Sequence, residues 1–522
     1  MERMTAGSLT PDADQAEVLA RLADPGFYPD APAGVERIDT HSAHVFLAGT
    51  RAYKVKRAVR YSFLDFSTLE LRRQSCEAEL RLNRRTAPSL YLRVVPIARD
   101  ASGRLALDGA GTPVEWVVVM QRFPDTALLD RMATARRFSR PDAVRLADHI
   151  AAFHARAVPT PHQGGVAGLH EVVEDNARAL ADVPDVLDPA RVQAVTRAWN
   201  DAVERLGPLL DARRAGGFVR QCHGDLHLRN IVMLDGAPTL FDAIEFNDAF
   251  ACIDVWYDLA FLLMDLLARG LAVEANVLFN QYLLRTSDVG GLPLLPLFLS
   301  SRAAIRAKTS LASAALDGDA TRRAEFQARA RDYLALAVRC AADAGPPRLI
   351  AIGGRSGAGK STLAAELAPL VGTPPGAVVL RSDVLRKVLR HHEPEERLGA
   401  DAYTAAVNAA VYHVLGVRAA DLLRSGATVI VDATFLSPAS REAIEAVAAR
   451  AGVAFAGVWL DAPADTMAAR LRARGQDASD ATVEVLRLQL ARDAGPIHWA
   501  RLEAGPDPAV LAGTVRASVL SV

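Results

Sequence analysis

Cysteine is scarce in this chain, and what there is stands far apart. Cys76, Cys222, Cys252 and Cys340 are the four among 522 residues, with no close pair. That argues against a disulfide scaffold and against a Cys-rich zinc site. Net charge is scarce too, with 60 Lys and Arg against 61 Asp and Glu. General affinity for nucleic acid gets no support from this balance, although local basic patches are compatible with it. Long apolar runs are missing. The most apolar stretch, 259–267, is broken by Asp265 and is too short to span a bilayer. No secretory apolar core follows the polar N-terminus. A cytoplasmic location without membrane association is the expectation. Half the chain is apolar and 23% is charged, as in globular proteins. Its length exceeds one hydrophobic core and predicts two to four domains.

One stretch organises the first half. Cys222-His223-Gly224-Asp225-Leu226-His227-Leu228-Arg229-Asn230 is followed by apolar Ile231-Val232-Met233-Leu234. A turn at Asp235-Gly236 and a second apolar segment then lead to Phe241-Asp242. This reads as a loop, a hairpin and a second carboxylate at the hairpin's far end. Asp, four residues, Asn and a later Asp are what phosphoryl transfer of the protein-kinase type requires. Asp225 is the candidate base, taking the acceptor's proton or fixing the nucleophile in line. Asn230 and Asp242 are candidate Mg2+ ligands. His223 is expected to hold the loop, and His227 is given no catalytic role.

Upstream, 45–47 reads as a strand, Gly49-Thr50 as a turn and 51–56 as a returning strand. Tyr53 and Val55 share one face, Lys54 and Lys56 the other. ATP bound at such a hairpin needs a lysine against its phosphates. Either lysine suits, and Lys56 is the choice. The spacing predicts a helix over 68–85, where Glu77 and Glu79 are candidates to pair with that lysine and Glu79 is the choice. There is no Gly-x-Gly-x-x-Gly loop, so phosphate cover must come from a different turn. Strands are predicted at 90–98 and 116–120, and helices near 14–22, at 142–157, over 258–285 and over 299–340. His154 reads as a core histidine. Arg302 and Arg306 share a helix face, read as solvated in preference to an anion site.

The second half follows a short linker, 344–347. A strand over 348–352 feeds Gly353-Gly354-Arg355-Ser356-Gly357-Ala358-Gly359-Lys360-Ser361-Thr362, and a helix follows. Gly354-x4-Gly359-Lys360-Ser361 is a complete phosphate-binding loop. Its glycines expose backbone N–H groups to phosphate oxygens, Lys360 reaches the β- and γ-phosphates, and Ser361 binds Mg2+. Val378-Val379-Leu380 reads as a strand leading to Asp383 and Arg386. If a helix starts at Ser382, both face the cleft. Asp383 then orients an acceptor hydroxyl and Arg386 holds acceptor or phosphate charge. The alternative is a Ser-Asp helix cap with a surface arginine. Residues 428–434 give a buried strand ending in Asp432, a candidate Mg2+ holder acting through water. Another strand is expected at 453–460. A helix over 465–474 brings Arg470 and Arg474 to one face as a lid over phosphates, with Arg487 and Arg492 as further candidates. No Asn/Thr-Lys-x-Asp guanine reader follows Asp432, which argues against a GTPase.

The 222–230 stretch, Leu240-Phe-Asp-Ala-Ile-Glu-Phe246 and Asp254-Val-Trp-Tyr-Asp-Leu-Ala260 resemble the aminoglycoside phosphotransferase-like, or protein-kinase-like, enzymes over roughly residues 35–335. The resemblance implies that Asp225 is catalytic, that Asn230 and Asp242 bind magnesium, and that Asp258 supports the loop. Ala243-Ile244 stands where protein kinases have Phe-Gly, which suits the small-molecule branch. Gly354 to Ser361, Arg381-Ser382-Asp383-x-x-Arg386 and Val431-Asp-Ala-Thr434 resemble the zeta-toxin, gluconate-kinase and polynucleotide-kinase group over roughly 347–515. The expected fold is a mixed α/β and α+β multidomain chain. An extension (1–34) precedes a two-lobed protein-kinase-like domain (35–343), and a P-loop domain with a parallel sheet (347–522) follows. The expected function is ATP- and Mg2+-dependent transfer to a small-molecule hydroxyl at two centres. An RNA or DNA end is a less favoured acceptor. The alternatives are a P-loop kinase with a sensing first domain and a nucleotide-regulated interaction module.

Overall fold

In the computed structural model the described residues are 13–61, 64–342, 345–393, 396–473, 479–505 and 507–519. Arg474, one of the expected lid arginines, and Ala344 of the expected linker lie outside them. The chain forms two compact units, residues up to 172 with 207–265, and residues 173–206 with 266 onward.

The first unit opens with strands β1 (Val35–Asp39), β2 (Ala43–Ala48), β3 (Arg51–Lys56), β4 (Arg60–Tyr61), β5 (Leu64–Asp65), β6 (Tyr91–Arg99), β7 (Leu105–Leu107) and β8 (Thr112–Gln121). Six form an antiparallel sheet in the order β1-β2-β3-β8-β6-β7, and β4 with β5 is a separate hairpin. Period-two alternation gives this sheet two apolar faces. Phe46, Tyr53, Val55, Val117 and Val119 pack with Val18 and Leu22 of the helix Ala13–Leu22. Ala52, Val118 and Met120 pack on the other face with Cys76 of the helix Leu69–Asn83. Lys54 stands opposite Val118 in register, so its side chain emerges on that second face. Thr68 caps the Leu69–Asn83 helix by accepting from Leu71 N at 3.2 Å.

Further along come β9 (Val219–Gln221), β10 (Ile231–Leu234), β11 (Ala237–Leu240) and β12 (Cys252–Asp254). β10 and β11 make the expected hairpin, turning at Asp235 and Gly236 with φ 49 and 79. β9 pairs antiparallel with β12, and the helix Val255–Ala268 starts directly after it. The helical run expected over 258–285 is broken: a second helix, Ala272–Thr286, begins after Gly270, whose φ is 75. The run over 299–340 is likewise two helices, Leu295–Leu316 and Ala320–Ala341, because Asp319 caps the second one.

The second unit holds five parallel strands, β13 (Arg348–Gly354), β14 (Val378–Arg381), β15 (Val429–Asp432), β16 (Ala454–Asp461) and β17 (Ala500–Glu503). Their order is β14-β15-β13-β16-β17. The central strands are covered on both faces, which is why they read as unbroken apolar runs. Ile350, Ile352, Ile430, Val458 and Leu460 pack with Leu363 and Leu367 of the helix Lys360–Leu367. The stretch 173–206 packs here too: Trp199 Nε1 donates to Ser300 Oγ at 2.7 Å, and Asn176 Nδ2 to Ser301 O at 3.3 Å. All four cysteines are buried and free. Among the described residues no helix is long and apolar enough to cross a membrane.

Candidate active sites

The 222–230 loop is held from behind by buried carboxylates. Asp258 accepts from His223 N at 3.1 Å, from Gly224 N at 2.8 Å and from His154 Nε2 at 3.0 Å. His154 is therefore buried, as read from sequence, but as a donor that braces the loop. Asp265 accepts from Leu228 N at 3.1 Å. Gly224 has φ 84, and a Cβ there would lie 2.8 Å from Phe250 O, so no side chain fits. His223 Nε2 donates to Phe241 O at 2.9 Å, which ties the loop to the segment carrying Asp242. Phe241 N to Asn230 O (3.0 Å) and Ile244 N to His223 O (3.0 Å) complete the tie. Burial lowers the His223 imidazole below its ordinary pKa of 6.5. Its Nδ1 is buried with no hydrogen-bond partner among the described residues.

At the front of the loop, Asn230 Nδ2 donates to Asp225 O and to Asp225 Oδ2, both at 2.9 Å. The amide nitrogen is thus committed to Asp225, and its oxygen is the atom suited to a cation. The Asp225 side chain is 36% exposed. His227 Nε2 lies 3.4 Å from Asp225 Oδ2, with its ring edge-on to Phe261.

Asp242 sits in the left-handed region at φ 62, with its N–H donated to Tyr91 Oη at 3.2 Å. Asn83 Oδ1 accepts from Ala243 N at 2.8 Å and fixes the next residue. Both strand lysines converge on Glu79, one on each carboxylate oxygen. Lys54 Nζ is 2.8 Å from Oε1, and Lys56 Nζ is 2.5 Å from Oε2. They differ in their second partner: Lys54 reaches Asp242 Oδ1 at 2.5 Å, while Lys56 pairs with Glu245. Glu77 points elsewhere, to Arg73 at 2.9 Å. Burial alone would raise the Glu79 carboxyl, but the two ammonium groups overturn it and hold the pKa at about 2. Burial also works against both lysines. Asp242 and Glu79 outweigh it at Lys54, and Glu245 and Glu79 at Lys56, so both are raised. Sequence reasoning missed Glu245. The available signal was an acid inside the apolar frame Asp242-Ala-Ile-Glu-Phe246.

In the second unit the phosphate-binding loop follows β13. Gly354 (φ 138) and Gly357 (φ 83) leave no space for a Cβ, which would lie 2.5 Å from Leu460 O and 2.6 Å from Met467 O. Gly359 (φ 98) turns the chain into the Lys360–Leu367 helix. Lys360 Nζ donates to Arg355 O at 3.0 Å across the loop. Ser356 is gripped twice by Gln489, its N–H donating to Oε1 at 2.8 Å and its Oγ accepting from Nε2 at 3.0 Å. Ser361 Oγ donates to Asp432 Oδ2 at 2.5 Å, and Arg381 Nε lies 3.5 Å from the same oxygen. Arg470 Nη1 donates to Ala358 O at 3.3 Å, at the loop itself.

A cleft of about 1250 Å³ opens here, lined by Lys360, Ser361, Thr362, Asp383, Arg386 and Asp432 among others. A helix does start at Ser382 and runs to Leu389. Arg386 is only 5% exposed, so the surface-arginine alternative does not hold. It donates to Ala402 O at 2.7 Å and stacks over Tyr403 at 4.7 Å. Burial, with the Asp432 charge behind it, raises the Asp383 carboxyl. Neighbouring Lys387 is fully buried and meets Asp480 at 3.2 Å. Asp480 also accepts from Tyr403 Oη at 2.6 Å and Leu398 N at 3.1 Å. Sequence reasoning missed Asp480, Tyr403 and Gln489, because a lone polar residue far along the chain carries no local pattern. Arg487 faces Glu484 at the surface, whereas Arg492 lines the cleft. Arg302 is buried, which corrects the solvated-face reading, and Arg306 lies over Tyr333 at 5.7 Å.

Comparison with known proteins finds two family matches in series along the chain. The family described as "Phosphotransferase enzyme family" matches residues 15–293, and "AAA domain" matches 349–496. Uncharacterized protein Rv2004c of Mycobacterium tuberculosis is 32% identical over 465 residues, covering 87% of this chain and 89% of its own. Uncharacterized protein Mb2027c of Mycobacterium bovis matches to the same extent, 32% over 465 residues. Among solved structures, a choline/ethanolamine kinase family protein from Mesorhizobium loti is 15% identical with a TM-score of 0.37, covering 63% of this chain and 99% of its own. A gluconokinase from Sinorhizobium meliloti 1021 is 21% identical with a TM-score of 0.24, covering 33% and 90%. With over half its length inside the first match, the chain belongs to the phosphotransferase enzyme family, and it carries a P-loop kinase-like AAA domain behind the phosphotransferase domain.

Proposed function

We propose that the chain is a cytoplasmic enzyme with two phosphoryl-transfer centres, each passing the γ-phosphoryl group of ATP to a hydroxyl of a small molecule. One observation carries this reading. Each unit gathers a lysine, a pair of oxygen-bearing side chains and a separate carboxylate, the set that phosphoryl transfer calls for. The first set is Lys54, taken in place of Lys56 because it is the lysine that meets Asp242, then Asn230 with Asp242, and Asp225. The second is Lys360, Ser361 with Asp432, and Asp383.

The donor sets suit Mg2+, which takes oxygen ligands. The glycine loop suits phosphate, because Gly354 and Gly357 hold a backbone that no other residue allows. Bound Mg2+-ATP supplies the phosphoryl group and a concentrated positive charge beside it. Asp225, fixed by Asn230, takes up the acceptor's proton or holds its hydroxyl in line. Lys54, kept charged by Asp242 and Glu79, neutralises phosphate oxygens. In the second centre Lys360 does this, and Asp383 is a stronger base than an exposed aspartate because burial raises it. Arg386 brings positive charge to the acceptor side.

The test is transfer of labelled γ-phosphate from ATP into fractionated metabolites and short RNAs. Wild type runs beside Asp225→Asn and Lys360→Ala. A labelled product lost in only one variant is expected, and it assigns an acceptor to a centre. The RNA arm decides between a small molecule and a polynucleotide end. Label that survives both substitutions, or ATP bound without transfer to any fraction, overturns the reading.

A further inference from the structure

The helix Ala272–Thr286 falls inside the phosphotransferase family match, yet its polar side chains serve the P-loop sheet. β14 is the edge strand of that sheet, and its inner edge pairs with β15. An edge strand leaves its outer backbone groups without a ladder. Here asparagine side chains take that role. Asn276 Nδ2 donates to Pro375 O at 3.2 Å and to Ala377 O at 3.1 Å. Asn280 Nδ2 donates to Ala377 O at 3.2 Å, and its Oδ1 accepts from Val379 N at 2.7 Å. The pair is itself locked, since Asn280 Nδ2 also lies 3.0 Å from Asn276 Oδ1. Asn276 is 3% exposed, so its amide has no water to fall back on. Five residues beyond Asn280 on the same helix, Arg285 meets Glu393 at 2.8 Å.

These contacts bracket one element. β14 ends at Arg381, and the helix carrying Asp383 and Arg386 starts at Ser382. Asn276 and Asn280 hold the chain just before it, and Arg285 holds the chain just after it. Arg381 in turn faces Asp432, the partner of Ser361. Covering an edge needs only bulk or charge. Directed bonds to alternate backbone groups, with a third contact beyond the next helix, fix position along the strand as well.

We propose that the helix Ala272–Thr286 is a positioning element of the P-loop centre, with Asn276, Asn280 and Arg285 setting where Asp383 stands relative to the phosphate-binding loop. The proposal rests on reading Asp383 as the acceptor-side carboxylate. It makes part of the phosphotransferase family segment a component of the second centre.

The test uses the full chain in an Asp225→Asn background, which silences the first centre. Asn280→Ala and Arg285→Ala are each added, the latter at the surface where folding is not at risk. Hydrogen exchange is read over 377–383 and 390–393, and phosphate release from Mg2+-ATP, with water as acceptor, gives kcat and KM. Asn280→Ala should speed exchange about tenfold at Val379 while leaving β13 and β16 protected. It should lower kcat about tenfold with KM for ATP within about twofold, as a misplaced group does. Arg285→Ala should act in the same direction, more weakly, with its exchange change confined to 390–393. Unchanged exchange and kcat in both variants overturn the proposal. So does protection lost equally across all five strands, which would make the asparagines ordinary contributors to stability. If phosphate release proves independent of Lys360, the function proposed for this centre fails, and the exchange result still decides whether the helix sets β14.

Discussion

Replacing Asp258 by Asn tests the 222–230 loop at its root. The fully buried carboxylate accepts from two consecutive backbone N–H groups and from His154 Nε2. Asparagine keeps one oxygen and puts an NH2 group where the other stood. At least one buried donor then faces a donor. A hydrogen bond to a charged group contributes about 1.5–3 kcal/mol, and an orphaned buried N–H costs about 1–3 kcal/mol. The sum predicts a loss of about 2.5–6 kcal/mol, a range that contains the cost of breaking a buried charged pair. His154→Ala removes only one donor and leaves the backbone bonds intact, so about 2 kcal/mol is expected. The assay is native-state hydrogen exchange at Gly224 in the full chain. At about 1.4 kcal/mol per decade, Asp258→Asn should accelerate exchange by about two to four orders of magnitude, provided the loop opens with its unit. Transfer by the first centre should lose kcat more than ATP affinity, because Asp225 follows Gly224 directly. A change below about tenfold at Gly224 would refute the claim that Asp258 sets this loop.

The two strand lysines should separate by phenotype. Lys54→Met removes the group that touches Asp242 and should suppress transfer at the first centre. Lys56→Met strips Glu79 and Glu245 of a buried partner and should cost about 3–5 kcal/mol of stability, read as a fall in Tm. Gly357→Ala places a Cβ 2.6 Å from Met467 O at φ 83, so the P-loop must deform. Strain of about 1–3 kcal/mol predicts roughly 10- to 100-fold weaker ATP binding there by calorimetry. Stability should also report Glu79. Its folded pKa of about 2 lies below the ordinary 4.5. Its stabilisation is therefore complete above about pH 4.5 and is lost as pH falls towards 2. Glu79→Gln should flatten that acid limb in a denaturation series, and an unchanged limb would refute the assignment.

Much of this was legible because the chemistry sits on local patterns. The loop 222–230, the hairpin after it and the run Gly354–Thr362 are contiguous, and spacing alone exposes them. The lysines show where pattern stops. Alternation puts Lys54 and Lys56 on one face, but which reaches Asp242 depends on strand register against a residue 188 positions away. Glu245 was hidden for a related reason: its partners, Lys56 and Ser75, lie far upstream. Gln489 and Asp480 complete the P-loop centre from beyond its motif, and Asn276 and Asn280 look like ordinary polar helix residues until the strand they serve is in place. Local sequence encodes the motifs, and the supports arise only from the fold.

The interleaving of the two units has a consequence for how the polypeptide is made. Residues 173–206 are synthesised before the 222–230 loop, yet Trp199 and Asn176 find their partners at Ser300 and Ser301. The nascent chain must carry that segment without those two partners while about a hundred further residues leave the ribosome, some five to twenty seconds at ordinary elongation rates.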